Sequence, residues 1–535
     1  MLESLIGSDG FPANFFARNR KTVRTSNEQK GTNAKINPEL LCACFTSPAV
    51  VINYKMLPLI STVPCMPTPL HSKIIPIRSL GLIASISIVI GSVIGAGIFL
   101  KSQVLICNVG SPIIVTAVWI GAGLMSLAGA LTYAELGAMM PRTGGDYVFL
   151  REAYGPLWGF LYGWMRFCVA NSGAQAAGVV AFATFLNIVT GGALHIDYFT
   201  LELLGYEIRF GPLQAVSLGC IAVVTLINCA TVSTNGKVAA VMTGIKIVLV
   251  LTVGVTALMF APGDWAHFAM TGAGEPCEGV GPAARGGLGG FGAAMLGALW
   301  AYNGWNSLTL VGGEIKDPQR NIPLALICGT VIIVALYSFI NLAYFYALTP
   351  AEVANISRGS SLATAVAGKV LGPVAAGLVA AALLASSFGA LHTAVMTNAR
   401  VPYAMAGDGL FFKSYAKLSP RTRVPVKALI LQAQWTSVLA LASSLDALTD
   451  YVMFAVLIFY ILVVASVFIF RHRMPNAERP YRTWGYPVVP ALFLLVAGWL
   501  VINSFLMAPS RSLLGLGLIA MGLPVYWLFR KQSRN

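Results

Sequence analysis

The chain has 535 residues, of which 57% are hydrophobic and 10% charged, and its mean hydropathy is +0.75. Soluble proteins carry about 25% charged residues, so this composition excludes a soluble globular protein. The net charge is +15, but the basic residues are not interleaved with aromatic residues as in a nucleic-acid-binding groove. Long apolar runs without strand alternation predict an all-α, polytopic membrane protein and argue against a β-barrel.

The first 75 residues differ from the rest of the chain. Basic side chains are scattered there among Asn, Thr, Ser and Pro, and the apolar patch at 40–52 is too short to span a bilayer. We predict that this segment is a disordered cytoplasmic tail. A translation start at Met56 or Met66 is an equally compatible interpretation.

Twelve membrane spans are predicted after the tail, and the positions of basic residues predict their orientation. With the N-terminus inside, cytoplasmic segments hold 27 of the 35 Lys and Arg residues, and six lie in loops on the other side. Because cytoplasmic loops are enriched in Lys and Arg, both termini are predicted to be cytoplasmic. The predicted spans are 78–101, 111–139, 155–190, 211–231, 236–261, 290–313, 323–349, 363–400, 426–443, 449–470, 486–507 and 511–530.

The chain shows no pattern typical of an enzyme or a metal protein. Its nine cysteines form neither a metal-ligand spacing nor a disulfide framework, and Cys42 and Cys44 make only a lone C-x-C. No Ser/His/Asp or Cys/His constellation is readable, and a P-loop is absent. We therefore predict no catalytic residues, no metal, no cofactor and no direct use of ATP.

Two spans are interrupted in their middle. "GSVIGAGIF" at 91–99 places three glycines in the first span, although each costs a helix roughly 1 kcal/mol against alanine. "LWAYNGWNSL" at 299–308 interrupts the sixth span at Gly304. Broken helices in corresponding positions of two five-span halves are typical of inverted-repeat transporters, and their free amides and carbonyls suit a zwitterion. Close helix packing at G-x-x-x-G is the alternative interpretation.

The sequence resembles the L-type amino acid transporters of the amino acid–polyamine–organocation superfamily in these segments and in two longer ones. The longer segments are "YAELGAMMPRTGGDYVFLREAYGPLWGFLYGW" at 133–164 and "LWAYNGWNSLTLVGGEIKDPQRNIP" at 299–323. The resemblance covers about residues 78–530. It implies a leucine-transporter-like fold, with spans 1–5 and 6–10 as inverted repeats and spans 1 and 6 broken. The transport core would be 76–470, and 471–535 would hold two peripheral helices and a short tail.

The resemblance also implies a substrate site at the two breaks. Trp300 stands where the family has a bulky aromatic that closes over the substrate from outside. Asn303 stands where many members have glycine, which implies either a side-chain contact to the substrate or a smaller pocket. Backbone amides would bind the carboxylate, and backbone carbonyls at the end of the first half of span 6 would bind the amino group. The amides are those of Val93, Ile94, Gly95, Ala96 and Gly97, and the carbonyls lie around Trp300, Ala301 and Tyr302.

Lys246 is the most informative charge, because it lies about ten residues into the fifth span. One interpretation is that it snorkels to the cytoplasmic interface. The resemblance implies instead that it faces the first break, where sodium-coupled relatives bind an ion, and that transport is sodium-independent. In that position it would act either in proton coupling or as a permanently charged tether in an exchanger.

Other polar residues have less specific interpretations. Arg166 in span 3 is predicted to snorkel towards the cytoplasm. Glu135 and Glu314, beside Arg142 and 316–320, are predicted to pair in an intracellular gate, with solvated surface charge as the alternative. A group in span 8 either lines the pathway or bridges helices, namely Ser386, Ser387, His392 and Thr393.

The sequence therefore predicts a sodium-independent secondary transporter of amino acids, working by exchange or proton coupling in the plasma (inner) membrane. The apolar lining favours neutral, medium to large side chains. A polyamine or organic-cation carrier, a channel and an amino-acid-sensing transceptor are the alternatives. The loop at 190–212 lacks the cysteine that joins some eukaryotic relatives to a glycoprotein, so no disulfide-linked heavy chain is expected.

Overall fold

The computed structural model describes residues 76–534 apart from short gaps. The predicted tail at 1–75, with Cys42, Cys44 and Cys65, lies outside the described residues. The gaps are 195, 197, 204–205, 273–276, 278–279, 357–360 and 443–444.

Helices make up most of the described chain. Many begin with a proline, whose fixed φ and missing N–H suit the first helical position. The first ten are α1 Leu82–Val93, α2 Gly97–Val109, α3 Pro112–Met139, α4 Asp146–Tyr154, α5 Pro156–Met165, α6 Asn171–Val189, α7 Pro212–Asn228, α8 Val232–Phe260, α9 Gly287–Tyr302 and α10 Ser307–Leu310. The others are α11 Pro318–Ala347, α12 Pro350–Ala354, α13 Leu362–Leu371, α14 Pro373–Asn398, α15 Arg400–Gly407, α16 Val426–Ala442, α17 Leu445–Arg473, α18 Val488–Met507, α19 Pro509–Ala520 and α20 Gly522–Arg534.

A β-hairpin interrupts the predicted all-α pattern. Strands β1 Phe199–Leu203 and β2 Tyr206–Phe210 pair antiparallel in the connection between α6 and α7. The rings of Phe199 and Phe210 stack at the open end of the hairpin, with centroids 5.3 Å apart. The hairpin lies in the loop between the predicted spans 155–190 and 211–231.

Eight helices in the described residues are long and apolar enough to cross a membrane, and the bent pair of α1 and α2 makes a ninth. Three shorter apolar helices, α7, α13 and most of α16, add to them. The chain is therefore a polytopic membrane protein. The predicted span at 363–400 starts too early, because Gly372 adopts φ 83° and separates α13 from α14, where the candidate span begins.

One end of the helical bundle carries a disulfide, and we call it the disulfide end. Cys107, in the last turn of α2, is bonded to Cys277 in the segment before α9. Two backbone hydrogen bonds reinforce this link, from Gly272 N to the Gly110 carbonyl and from Gly286 N to the Asn108 carbonyl, each 2.7 Å. The sequence predicted no disulfide framework, and that prediction was wrong. Two cysteines 170 positions apart show no spacing pattern that would identify them as a pair.

Aromatic side chains fill the core beside the two interrupted helices. The ring centroid of Tyr337, on α11, lies 5.4 Å from that of Trp119 on α3 and 4.9 Å from that of Tyr302 on α9. All three side chains are buried. This cluster fixes the end of α9 against its neighbours, and thereby positions the break that follows.

Candidate functional site

The break in the first span lies between Val93 and Gly97. Helices α1 and α2 are bent by 40° at this point. The amide of Ile94 donates to the Ile90 carbonyl at 2.9 Å, so it completes α1. The first amides of an α-helix have no acceptor within the helix, so α2 presents unpaired donors at its start. Of the five amides named from the resemblance, those of Gly95, Ala96 and Gly97 therefore lie at the break.

Gly97 allows α2 and α9 to approach closely. A Cβ atom added at Gly97 would lie 2.8 Å from the Cβ and 3.0 Å from the Cα of Ala301. The 2.8 Å distance is shorter than real Cβ contacts and the 3.0 Å distance is tight, so a larger residue would push the two helices apart. The glycine at 97 thus brings the two breaks together.

The break in the sixth span follows Tyr302, the last residue of α9. Asn303 is extended, and its amide donates to the Trp300 carbonyl at 3.1 Å. Gly304 adopts φ 114°, a left-handed conformation that favours glycine. A Cβ at Gly304 would lie 2.9 Å from the carbonyl oxygen of Ser92 in α1. The two breaks are therefore in direct contact.

Tyr337 connects the two breaks through its hydroxyl. This group lies 3.1 Å from the Val93 carbonyl and 3.2 Å from the Ala301 carbonyl. A carbonyl oxygen has two lone pairs, so the Ala301 oxygen keeps capacity for a second donor. The sequence analysis missed Tyr337, because an aromatic residue in an apolar span gives no signal that separates it from the core.

Lys246 projects from α8 to the first half of the broken span. Its Nζ donates to the Gly91 carbonyl at 2.8 Å, and its side chain is fully buried. Thr243, one turn earlier on α8, donates to the Ser87 carbonyl at 2.9 Å. Lys246 therefore lies within the bundle beside the first break and does not snorkel to an interface.

Both breaks contain partly exposed residues. Gly95, Ala96, Asn303 and Gly304 are partly exposed, although the side chains just before each break are buried. Trp300 is also partly exposed, with the Nζ of Lys101 4.7 Å from its ring centroid.

A buried polar chain leads away from the second break. The hydroxyl of Tyr460, on α17, lies 2.8 Å from Oδ1 of Asn303 and 3.0 Å from Oδ1 of Asn306. The side-chain nitrogen Nδ2 of Asn306 donates to Asp146 Oδ2 at 2.7 Å, and the hydroxyl of Tyr133 donates to the same oxygen at 3.1 Å. Sequence reasoning did not single out Asp146, because it lies in a connection between predicted spans.

Arg166 lies in the interior near this chain. It begins a π-helical turn at Arg166–Ala170, and one amino group is 3.5 Å from Oδ1 of Asn398. Its side chain is 3% exposed, so the predicted snorkelling is wrong. Burial raises the pKa of the Asp146 carboxyl. The positive charge of Arg166 opposes that rise, and so do the hydrogen bonds from Tyr133 and Asn306.

Two buried carboxylates form ion pairs at the opposite end from the disulfide, which we call the ion-pair end. Glu314 accepts two hydrogen bonds of 2.9 Å from Arg400, and both side chains are buried. Glu135 accepts from Arg471 at 3.0 and 2.7 Å and from the amide of Thr483 at 2.7 Å. The basic residues next to these carboxylates in sequence do not supply the contacts, because tertiary packing brings in arginines from distant helices.

Arg142, by contrast, reaches the exposed Glu152. The chain before α1 closes the same end: the amides of Ser79 and Leu80 donate to the Glu314 carbonyl, and the Lys316 amide donates to the Leu80 carbonyl at 2.8 Å.

His392 does not reach either break. Its Nε2 lies 3.3 Å from Oδ1 of Asn235, and its carbonyl accepts from the Asn228 side chain at 3.2 Å. These contacts join α14 to α7 and α8, which corresponds to the bridging interpretation. Among the described residues, no group of three or more His, Cys, Asp or Glu side chains is arranged to bind a metal.

Comparison with known proteins decides the family. The profile of the amino acid permease family matches residues 80–529. The chain belongs to this family. The permease is 30% identical over 464 residues to the serine/threonine exchanger SteT of Bacillus subtilis (strain 168), an alignment that covers 86% of the chain and 98% of SteT.

Mammalian proteins are similar to the permease over nearly the same region. The large neutral amino acids transporter small subunit 2 of Oryctolagus cuniculus is 29% identical over 84% of the chain and 80% of its own length. The b(0,+)-type amino acid transporter 1 of Homo sapiens is 28% identical over 84% of the chain and 88% of its length. The predicted family is confirmed, and the relatives are amino acid transporters and not enzymes.

Proposed function

We propose that the permease is a sodium-independent secondary transporter of neutral, medium to large amino acids, working by alternating access as an exchanger or a proton-coupled carrier. The contact between the Lys246 ammonium and the Gly91 carbonyl carries the proposal. A buried ammonium beside the first break supplies a fixed positive charge, so no cation needs to bind there. The printed names of the relatives, which include an exchanger, support amino acid transport.

In this proposal the substrate lies between the two breaks. The amides of Gly95, Ala96 and Gly97 bind its carboxylate, since a helix N-terminus attracts anions. The carbonyls of Trp300, Ala301 and Tyr302 bind its ammonium, and Trp300 closes the site. The adjacency of the breaks at Gly304 and Ser92 supports this arrangement.

The proposed topology has twelve spans, with both termini in the cytoplasm and the ion-pair end facing the same side. Two independent features support this orientation. Basic residues concentrate on the side of the ion-pair end. The disulfide lies at the other end, and disulfides persist in oxidising compartments outside the cytoplasm.

The gate of the proposed transporter consists of Glu135, Glu314 and Trp300. The pairs Glu314–Arg400 and Glu135–Arg471, in which both carboxylates are buried, support a closed cytoplasmic side in this conformation. No disulfide-linked heavy chain is proposed, since the loop at 190–212 contains no cysteine.

Uptake into proteoliposomes tests this function. A panel of labelled amino acids, with putrescine for the polyamine alternative, is supplied with sodium or choline outside, with or without internal amino acid, and with or without a pH gradient. We expect amino acid uptake that is equal in sodium and choline and is accelerated by internal substrate or by the pH gradient. Sodium dependence, uptake of putrescine alone, or binding without transport would contradict the proposal.

The orientation has its own test in intact cells. A membrane-impermeant maleimide should label Cys107 and Cys277 from outside only after reduction, and the Cys107→Ser/Cys277→Ser variant should lose this signal. Labelling that requires permeabilised membranes would reverse the proposed topology.

A further inference from the structure

Helices α5 and α20 pack side by side in antiparallel directions. The ring centroids of Phe160 on α5 and Tyr526 on α20 are 5.4 Å apart. A Cβ atom added at Gly522, one turn earlier on α20, would lie 2.8 Å from the ring of Trp164, one turn later on α5. One further turn in the other direction brings Arg530, near the end of α20, to the start of α5.

A cavity of about 550 Å³ lies between the start of α5, the end of α20 and the connection after α15. Its volume is in the range of about 300–1,000 Å³ that is typical of small-molecule sites. Arg151, from α4, and Arg530 contribute positive charge to its lining, and Asp408 contributes negative charge. The cavity belongs to the ion-pair end, because Asp408 directly follows α15, whose first residue, Arg400, pairs with Glu314.

The carboxylates at this cavity are compensated by arginines. Arg151 forms an ion pair with Oδ2 of Asp408, and the hydroxyl of Tyr147 donates to the same oxygen at 2.7 Å. Arg151 also pairs with the exposed Glu152 at 2.7 Å, and Arg142 pairs with Glu152 at 3.3 Å. The two carboxylates and two guanidinium groups together have no net charge, so Asp408 does not make the cavity acidic.

Three further basic residues surround the cavity. The guanidinium carbon of Arg530 lies 5.4 Å from the ring centroid of Trp527, a cation–π contact that positions it at the cavity. Lys531 follows at an exposed position. Arg473, which is also exposed, donates to the Ala153 carbonyl at 2.9 Å, next to the residues that line the cavity. The rim of the cavity is therefore basic and suits an anion.

The cavity lies at the level where two spans meet the membrane surface. One candidate span begins at Pro156 and another ends at Lys531. Trp158, which lines the cavity, is 39% exposed, and Trp527 and Leu528 on α20 are 58% and 64% exposed. Tryptophan is enriched at membrane–water interfaces, because its amphipathic ring suits the headgroup region. A lipid headgroup is therefore the anion that is present at this level.

We propose that this cavity, with Arg151 and Arg530 in its lining, binds the phosphate of an anionic membrane phospholipid. Guanidinium groups form charge-assisted, bidentate hydrogen bonds to phosphate, and basic pockets between spans suit anionic headgroups. The bound lipid connects α20 to α4 and α5 and thereby stabilises the protein. The site lies apart from the two breaks, so the inference goes beyond the proposed function and does not depend on it.

Thermal unfolding of the purified full-length permease in detergent tests the inference. Short-chain phosphatidylglycerol, short-chain phosphatidylcholine and inorganic phosphate are titrated separately at equal ionic strength. We expect phosphatidylglycerol to raise the unfolding temperature at a much lower concentration than the other two. An equal effect of phosphatidylcholine would overturn the inference, and an equal effect of inorganic phosphate would show that the occupant is a soluble anion and not a lipid.

Variants of the wild-type chain locate the effect. Arg530→Gln should weaken the response to phosphatidylglycerol about fivefold, the effect of roughly one basic residue near anionic lipid, and Arg530→Lys should retain more of it. Arg320→Gln is the matched control, since it removes an exposed arginine from the same end but outside the cavity lining, and it should respond like the wild type. Equal weakening by Arg530→Gln and Arg320→Gln would overturn the site. The wild-type comparison of lipids needs no variant, and none of these results depends on amino acid uptake.

Discussion

The two breaks are alike in topology and are held by different means. In the first span, side chains from other helices pair with the carbonyls, since Lys246 donates to Gly91 and Tyr337 to Val93. None of its glycines adopts a positive φ. In the sixth span the break depends on its own residues, with Gly304 at φ 114° and two asparagines held by Tyr460 and Asp146.

This difference shows that the two breaks depend on different partners. The first break depends on side chains of α8 and α11, which pair with its carbonyls. The second break depends on the conformation of Gly304 and on the hydrogen bonds of its own asparagines. The predictions below alter these contacts in turn.

Lys246→Met should have the largest effect. The Gly91 carbonyl would lose its buried donor, which costs about 1–3 kcal/mol, and the site would lose its positive charge. We expect uptake in proteoliposomes to fall by at least about tenfold with normal membrane insertion. Lys237→Met, at an exposed position on the same helix, is the control and should transport normally. Equal activity of the two variants would show that the first break does not need the ammonium.

Gly304→Ala and Gly95→Ala compare the two breaks directly. A Cβ at 304 is strained by the positive φ and lies 2.9 Å from the Ser92 carbonyl, whereas at 95 the nearest side-chain atom is 3.6 Å away. Left-handed strain costs about 1–3 kcal/mol, so only Gly304→Ala should lower the thermal unfolding temperature and uptake markedly. Equal effects at both positions would contradict the distinction between the breaks.

Tyr337→Phe removes the hydroxyl that contacts both breaks. Loss of one buried hydrogen bond costs about 1 kcal/mol, so we expect uptake to fall several-fold. Tyr344→Phe is the control and should transport normally, since that buried hydroxyl has no hydrogen-bond partner among the described residues. Equal uptake by the two variants would show that the breaks do not depend on the Tyr337 hydroxyl.

The sequence predicted the elements that depend on local chemistry. Long apolar runs must form helices in lipid, because unpaired backbone groups are costly there. Glycine clusters indicated where two of those helices are interrupted, and the motifs around them identified the family. Lys246 was noticed for a similar reason, since a charge in an apolar span is conspicuous.

The tertiary structure alone determined which groups meet. Arg400 and Arg471, not the neighbours in sequence, pair with Glu314 and Glu135. Cys107 and Cys277 are joined across 170 residues. The chain from Asp146 to Asn303 involves α4, α17 and the second break, and no local pattern links these segments. Hydrogen bonds and ion pairs act over about 3 Å in space, whereas sequence periodicity reports only on neighbours along the chain.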